Sequence, residues 1–366
     1  MADRVVVKVG SSTLTGPEGR LDEEYMRSLA SQIAEVRSSG AQVTLVSSGA
    51  IAAGMGVLGL ASRPRRMSEL QAAAAVGQVQ LVKTYSRLFA EHDVVVGQVL
   101  LTRHETTHRQ QYVLACNTLE KLLEMGAVPI VNENDTTAVE EIAFGDNDSL
   151  AALVAIMTKS ELVVMLTDIE GLHTSDPRRD ADARLVTRVD DLTDDLIVAA
   201  GGPGSRVGSG GMASKMEAAK TLKAAGIPMV LCDGRKPGVI PAAVAGEPVG
   251  TFFAAGDAKV AGRKLWIAFA RKPKGSIVVD DGARAALVEA NKSLLAAGVV
   301  DVKGDFEPGD SVTIEDTDGR VLAKGLAGIG STDLRRVRGM RTEQVREVLG
   351  GSAVPEAVHR DHLVIL

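Results

Sequence analysis

Aromatic residues are scarce in this chain, at 3% of 366 residues with a single Trp. A core built on stacked rings is ruled out. It falls instead to Ala, Val, Leu, Ile and Met, as in sheets covered by helices on both faces. Cysteine is nearly absent as well. Cys116 and Cys232 cannot build a four-thiolate zinc site, nor frame a chain of this length with disulfides. They read as two partly buried thiols in a reducing cytoplasm. Long apolar runs are missing: the longest, Leu150 to Met157, falls far short of the ~20 residues that cross a bilayer. The opening MADRVVVKVG has no signal-peptide core. The expectation is a cytoplasmic protein with no membrane segment. Positive charge is not in excess either. The net charge of −6 disfavours a protein whose main work is coating nucleic acid or an anionic surface. A bound anion must then be met by local lysines and backbone N–H groups.

What is present supports a packed core, with 45% hydrophobic and 24% charged residues. The length suits one large domain and a small one, or two of middling size. Over the first 250 or so residues, strand and helix signals alternate. Val5 to Val9 is a β-branched run. Asp22 is placed to cap a helix with apolar positions Leu29, Ile33 and Val36, and Gly40 to stop it. Strand signals follow from Val43, from Val94, at Val128 to Val131, at Leu162 to Leu166 and at Met229 to Leu231, with an Ala-rich helical region ending near Ala90. This is the pattern of an α/β fold with a mostly parallel sheet and helices on both faces. Such sheets bind ligands beyond the carboxyl ends of their strands. Polar clusters fall at those ends: VGSS at 9–12, SSGA at 47–50, NENDTT at 132–137 and TDIEG at 167–171.

Near residue 255 the character changes. The expected boundaries are a first domain over 1–254, a basic linker over 255–274, a compact mainly-β domain over 275–353 and a C-terminal tail over 354–366. Within the third segment, DTDG at 316–319 between two alternating runs is a hairpin signal.

Four clusters carry chemistry. GSGGMASK from Gly208 opens a helix with Lys215 in its first turn. Glycine N–H groups and a helix N-terminus favour an anion, and the lysine reaches a transferring phosphate. The plain alternative is a helix-capping loop with a solvated lysine. Gly208, Gly210 and Ala213 match the loose dinucleotide spacing G-x-G-x-x-A, but no strand signal leads into them, and the P-loop pattern is absent. Lys8 lies among valines, where burial without an anionic partner is costly, unless the strand is an edge and Lys8 meets water. GDNDSL from Gly145 precedes a helix. Asn147 or Asp148 would serve as an N-cap, yet three adjacent carboxylates and amides exceed what a cap needs. NEND at 132–135 poses the same puzzle. One cluster is a decoy: His104-Glu105-Thr106-Thr107-His108 matches the zinc-protease spacing, but it lacks a third ligand and its flanks are polar.

Taken in order, KVGSS, VSSGAIAAG, VNEND, GDNDSLAALVA, MLTDIEGLHTSDP and GSGGMASK resemble the amino acid kinase family, and KPGVI at 236–240 and AVHRD at 357–361 fit it too. Within it the chain is most similar to the branch that phosphorylates the side-chain carboxylate of L-glutamate, the first step of proline synthesis. The resemblance implies ATP and Mg2+ as cofactors, feedback inhibition by proline, and a homo-oligomer. It implies that Lys8 and Lys215 stabilise the transferring phosphoryl group and that Asp148 orients them. Ser48, Asp135 and Asn147 would hold glutamate, assisted by backbone near Gly49 and Ala50. Thr167, Asp168, Ser209, Gly210, Gly211, Met212, Ala213, Ser214 and Lys215 would contact the nucleotide, as would Lys8. Glu141 would couple a nearby loop to inhibition. The C-terminal part looks like a PUA domain, a fold frequent in RNA-modifying proteins. Strong general RNA binding is not expected of it, since residues 275–366 hold 11 basic against 15 acidic residues and one aromatic, Phe306. Its basic cluster of Arg335, Arg336, Arg338 and Arg341 reads as a solvated patch or a contact for a particular partner. The competing readings are a sibling kinase acting on aspartate, acetylglutamate or a nucleotide, a non-enzymatic RNA binder, and a zinc hydrolase.

Overall fold

The structure, a computed structural model, describes residues 2–16, 20–102, 109–137, 147–175, 177, 180, 182–192, 211–256, 273–350 and 356–365. Two compact units make up the chain, Met1–Lys259 and Val260–Leu366.

In the first unit the elements run β1 (Arg4–Val9), α1 (Ser11–Leu14), α2 (Glu23–Ser38), β2 (Gln42–Ser47), α3 (Ala50–Leu58), α4 (Met67–Ala90), β3 (Val96–Leu101), α5 (Arg109–Glu124), β4 (Val128–Glu133), α6 (Asn147–Met157), β5 (Leu162–Thr167), β6 (Arg188–Val189), α7 (Met212–Ala224), β7 (Met229–Asp233), α8 (Val239–Ala245) and β8 (Thr251–Phe253). Among the described residues the strands form one sheet in the order β3-β4-β2-β1-β5-β7-β8-β6. All neighbours are parallel except β7 and β8, which pair antiparallel. Strand β1 therefore lies between β2 and β5 and is covered on both faces, as its valines anticipate.

The two-residue period of β1 decides where its side chains go. Val5, Val7 and Val9 join a core with Leu29 and Ile33 of α2, Leu81 and Leu88 of α4, and Ile240 of α8. Val6 and Lys8 point to the opposite face, where α6 packs across β1, β2 and β5. Helix α2 begins as expected: Asp22 accepts from the backbone N–H of Tyr25 at 3.0 Å, which satisfies one orphan donor of the first turn. Gly40, at φ 98°, takes the left-handed conformation that ends it.

Helices α3 and α4 cross backbone to backbone. A Cβ on Gly77 would stand 1.8 Å from Ala50 O, and one on Gly54 equally close to Ala73 O. Only glycine permits that approach. The contact presses the middle of α4 against the SSGA turn that leads out of β2.

The second unit contains β9 (Gly275–Val279), α9 (Asp281–Val288), β10 (Leu294–Leu295), β11 (Val299–Gly304), β12 (Ser311–Glu315), β13 (Val321–Ala327), α10 (Ser331–Val337), α11 (Thr342–Leu349) and β14 (Glu356–Ile365). Its sheet runs β10-β14-β13-β12-β9-β11. The hairpin between β12 and β13 turns where DTDG predicts, with Asp316 accepting from the N–H groups of Asp318 and Arg320. One boundary needs correction. Within the expected tail, Glu356–Ile365 is a strand hydrogen-bonded to β13 on one side and β10 on the other. Ala357, Val358, Leu363 and Val364 are buried in the core of this unit. The strand lacks a simple alternation: its buried residues fall in two adjacent pairs, Ala357 with Val358 and Leu363 with Val364, on either side of the polar residues 359–362, where the register against β13 shifts. Most of the expected linker, 257–272, lies outside the described residues.

Candidate active site

Lys8 is 2% exposed, Asp148 0% and Lys215 6%, so none is a surface charge. Lys8 forms an ion pair with Asp148 Oδ1. Lys215 Nζ lies 3.1 Å from Asp148 Oδ2. One carboxylate at the start of α6 thus joins a lysine on the central strand to a lysine in the first turn of α7. Burying such charges is tolerable only when they are paired in this way. The edge-strand reading of Lys8 fails because β1 is central. The simple-cap reading of Asp148 fails because both its oxygens meet side chains of other elements. Ser214 adds a hydrogen bond to Asp148 Oδ2 at 2.7 Å, and its hydroxyl lies equally close to Gly211 O. One hydroxyl proton serves both acceptors, so the start of α7 is tied to the same carboxylate.

Gly10 follows β1, and its ideal Cβ position lies 3.7 Å from Lys8 Nζ. The lysine head therefore sits at the carboxyl end of the sheet, where a strand-end ligand belongs. Gly211, Met212, Ala213 and Ser214 lead into or open α7, whose N-terminus carries partial positive charge toward the same region. Ser209 and Gly210 lie outside the described residues. Thr167 and Asp168 are at the end of β5, one position past the pairing of Val9 with Leu166. Thr167 is buried and Asp168 exposed, with the threonine hydroxyl 3.3 Å from Asp168 Oδ1.

The residue before Asp148 builds a second cluster. Asn147 Nδ2 lies 3.1 Å from Ser47 O, 2.9 Å from Ser48 Oγ and 2.8 Å from Asn132 Oδ1, so its two N–H groups are shared among three acceptors. Ser48 and Asn147 are thereby brought together at the ends of β2 and β4. Gly49, at φ 99°, makes the left-handed turn that lets α3 start immediately beyond Ser48. Asp135 stands two residues past β4. No hydrogen bond joins it to Asn147 or Ser48 among the described residues. It is half-buried, and burial pushes its carboxyl up to about 6 against the opposing pull of Arg63.

Asn132 belongs to the NEND cluster, whereas Gln78 and Tyr85 sit in the Ala-rich helix and carry no motif signal of their own. Asn132 Nδ2 donates to Gln78 Oε1 at 2.9 Å. Tyr85 OH lies 2.9 Å from Ser47 Oγ. A polar residue on the stripe Ala74, Gln78, Leu81, Tyr85 and Leu88, at helical spacing, was the available clue. The decoy histidines 104 and 108, and Glu141, lie outside the described residues.

The amino acid kinase family model matches residues 3–233 and a PUA domain model residues 275–349. Glutamate 5-kinase of Caldanaerobacter subterraneus subsp. tengcongensis is 44% identical over 99% of this chain and 98% of its own. The chain belongs to the amino acid kinase family, among its glutamate 5-kinases. The enzymes of that name from Pelobacter propionicus, at 46% identity, and Meiothermus ruber, at 44%, match over 99% of this chain and 97% and 95% of theirs. Among solved structures, the UMP kinase of Ureaplasma parvum aligns at 15% identity with a TM-score of 0.49, over 69% of this chain and 99% of that one. As an amino acid kinase with a C-terminal PUA domain, the chain is an ATP-dependent phosphotransferase. No helix among the described residues is long and apolar enough to cross a membrane.

The residues can be tested for fit to magnesium. Among the described residues no trio of His, Cys, Asp or Glu forms a metal site. Asp148, the most buried acid at the site, is taken by two lysines.

Proposed function

We propose that the protein transfers the γ-phosphoryl group of ATP to the side-chain carboxylate of L-glutamate, giving L-glutamate 5-phosphate and ADP. The observation that carries the reading is the pair of clusters on one helix start: Asn147 with Ser48, and Asp148 with Lys8 and Lys215. The first has donors and acceptors for an amino acid, with Asp135 close in sequence to meet its ammonium. The second concentrates positive charge where a phosphoryl group needs it.

The attacking carboxylate is already ionised at neutral pH, so no general base is required. A carboxylate oxygen forms the new bond to phosphorus. The bond from phosphorus to the β-bridging oxygen breaks, and ADP leaves with the electron pair. A loose phosphoryl transition state asks for alignment and for cations at the equatorial and leaving oxygens. Lys8 and Lys215 supply those cations, and Asp148 holds both in place. Mg2+ bound with the nucleotide would neutralise its β and γ phosphates. Thr167, Asp168 and the start of α7 hold the nucleotide side.

Proline inhibits by overlapping the glutamate site, since it shares the α-carboxylate and the ammonium centre. The protein works in the cytoplasm as a homo-oligomer. The second unit is not a strong general RNA binder: Arg335, Arg336 and Arg338 are paired with Asp305, Asp333 and Asp301.

The test is an ATP-dependent hydroxamate assay, in which hydroxylamine traps the acyl phosphate. Glutamate is expected to react and aspartate and acetylglutamate not. Product with either of those and none with glutamate overturns the substrate assignment. Inhibition by proline that raised glutamate does not relieve overturns the overlap.

A further inference from the structure

Helix α4 reaches the end of β2 through Tyr85 and the end of β4 through the amide of Gln78. Gln78 is 9% exposed, on the buried stripe of that helix. Its Oε1 accepts from Asn132 Nδ2 at 2.9 Å, while its Nε2 is buried with no hydrogen-bond partner among the described residues. Backbone groups settle which way each amide in this chain faces. Ser47 O can only accept, so the Asn147 atom against it is Nδ2. Glu133 N–H can only donate, so the Asn132 atom 2.8 Å away is Oδ1, and that oxygen also takes Asn147 Nδ2. Asn132 must then turn Nδ2 toward Gln78, and Gln78 can meet it only with oxygen.

The orphan Nε2 is informative. An apolar side chain of similar length would fill this place without burying an unsatisfied donor, which is a destabilising feature. An amide kept there serves through its oxygen. We infer that Gln78 is a positioning residue for substrate recognition: its carbonyl oxygen holds Asn132, which holds Asn147 beside Ser48 with Asn147 Oδ1 left as an acceptor for the substrate's ammonium. Without that oxygen, Asn132 Nδ2 is buried and unpaired, at 2% residue exposure. The Asn132 side chain then rotates to find a partner, and its Oδ1 leaves Asn147. The close crossing of α3 and α4 at Gly54 and Gly77 keeps Gln78 in reach of this turn.

The inference rests on glutamate lying at Ser48 and Asn147, so the experiment carries its own control. Full-length Gln78→Leu, Gln78→Glu and Asn147→Ala are compared with the parent for KM of glutamate, KM of ATP, kcat and Tm. Gln78→Leu removes both the accepting oxygen and the orphan donor, so its Tm is expected within a few degrees of the parent. Its KM for glutamate should rise tenfold or more, with KM for ATP within twofold. Gln78→Glu keeps an accepting oxygen, and its KM for glutamate should fall between the two. Gln78→Met repeats the loss of the acceptor in a more adaptable side chain if Leu is not accommodated. A raised KM in Asn147→Ala alone, with Gln78→Leu and Gln78→Met like the parent, overturns the role of Gln78. So does a Gln78→Leu in which both KM values and Tm worsen together, or a Gln78→Glu no better than Gln78→Leu. An unchanged glutamate KM in Asn147→Ala overturns the placement of the substrate and this inference with it.

Discussion

Replacing Asp148 by Asn keeps shape and removes one charge, which makes it the sharpest probe of the phosphoryl-handling cluster. In the parent, two ammonium groups converge on the two oxygens of one fully buried carboxylate. Without its charge they face each other across a neutral amide. At about 5 Å and an effective dielectric near 20, two like unit charges repel by about 3 kcal/mol. The amide also presents N–H to one of two cations, where the carboxylate presented oxygen to both. Each lysine that drifts from the transferring phosphoryl group costs about 3 kcal/mol of barrier, or roughly a hundredfold in rate. The two losses share one cause and do not simply add, so kcat is expected to fall by about 10^2 to 10^4. Breaking a buried pair from one side also destabilises the fold, by about 3–5 kcal/mol. In a unit of this size that lowers Tm by about 10 °C. Mg-ATP should restore more of that Tm in Asp148→Asn than it adds to the parent, because its phosphates return the missing negative charge. The assay is hydroxamate formation at saturating substrates, with thermal melts with and without Mg-ATP. A variant within fivefold of parental kcat refutes the orienting role of Asp148.

Three further outcomes follow from other parts of the structure. Asp135 has a carboxyl held near 6 by burial; it must lose its proton to meet an ammonium, so KM for glutamate should fall as pH rises through about 6. Asp135→Asn should raise that KM and abolish the inflection, and a profile shared by parent and variant assigns the titration elsewhere. The raised carboxyl also makes the native state bind a proton more tightly than the unfolded chain, so Asp135 favours folding at low pH, a contribution lost as pH climbs from about 4 to 6. Gly77→Ala puts a methyl 1.8 Å from Ala50 O; α3 and α4 must part, with Tm and glutamate binding both expected to drop, and a variant with parental Tm contradicts the close crossing. Truncation after residue 259 should leave hydroxamate formation within a few fold, and loss of turnover in a folded truncation would give the second unit a part in shaping the site.

How much of this was legible beforehand depends on whether a property is local. Period-two valines around Lys8 marked a buried strand, and the cost of burying an ammonium marked the need for an anion. They did not say which acid supplies it; the order of six motifs did, by resemblance. The cap of α2 by Asp22 and the turn at DTDG were readable because their chemistry lies within four residues. Gln78 gives only a faint signal, a polar residue on the apolar stripe of an Ala-rich helix, because its meaning lies in Asn132 on strand β4. The raised carboxyl of Asp135 depends on burial that only the fold creates. The last strand is legible only in its HLVIL end; its full extent is defined by its two neighbours, β13 and β10, rather than by its own alternation.

The two clusters owe their alignment to their being neighbours in the chain. Asn147 and Asp148 are the first two residues of α6, with Cα atoms about 3.8 Å apart and side chains about a quarter-turn apart around the helix. One reaches the ends of β2 and β4, and the other the central strand and the start of α7. On the proposed function, a single peptide unit sets the spacing between the group that would hold the acceptor and the group that holds the cations. In-line transfer demands reacting atoms about 3–3.5 Å apart, and an error near 1 Å is expensive. Packing between separate loops would leave that spacing to the sum of many soft contacts. Here it is fixed by covalent geometry, with Lys8 clamped by parallel pairing on both sides of β1. Because the attacking carboxylate needs no base, placement is the main thing the protein has to contribute besides charge. Consecutive residues at the start of a packed helix supply it with the least freedom to drift.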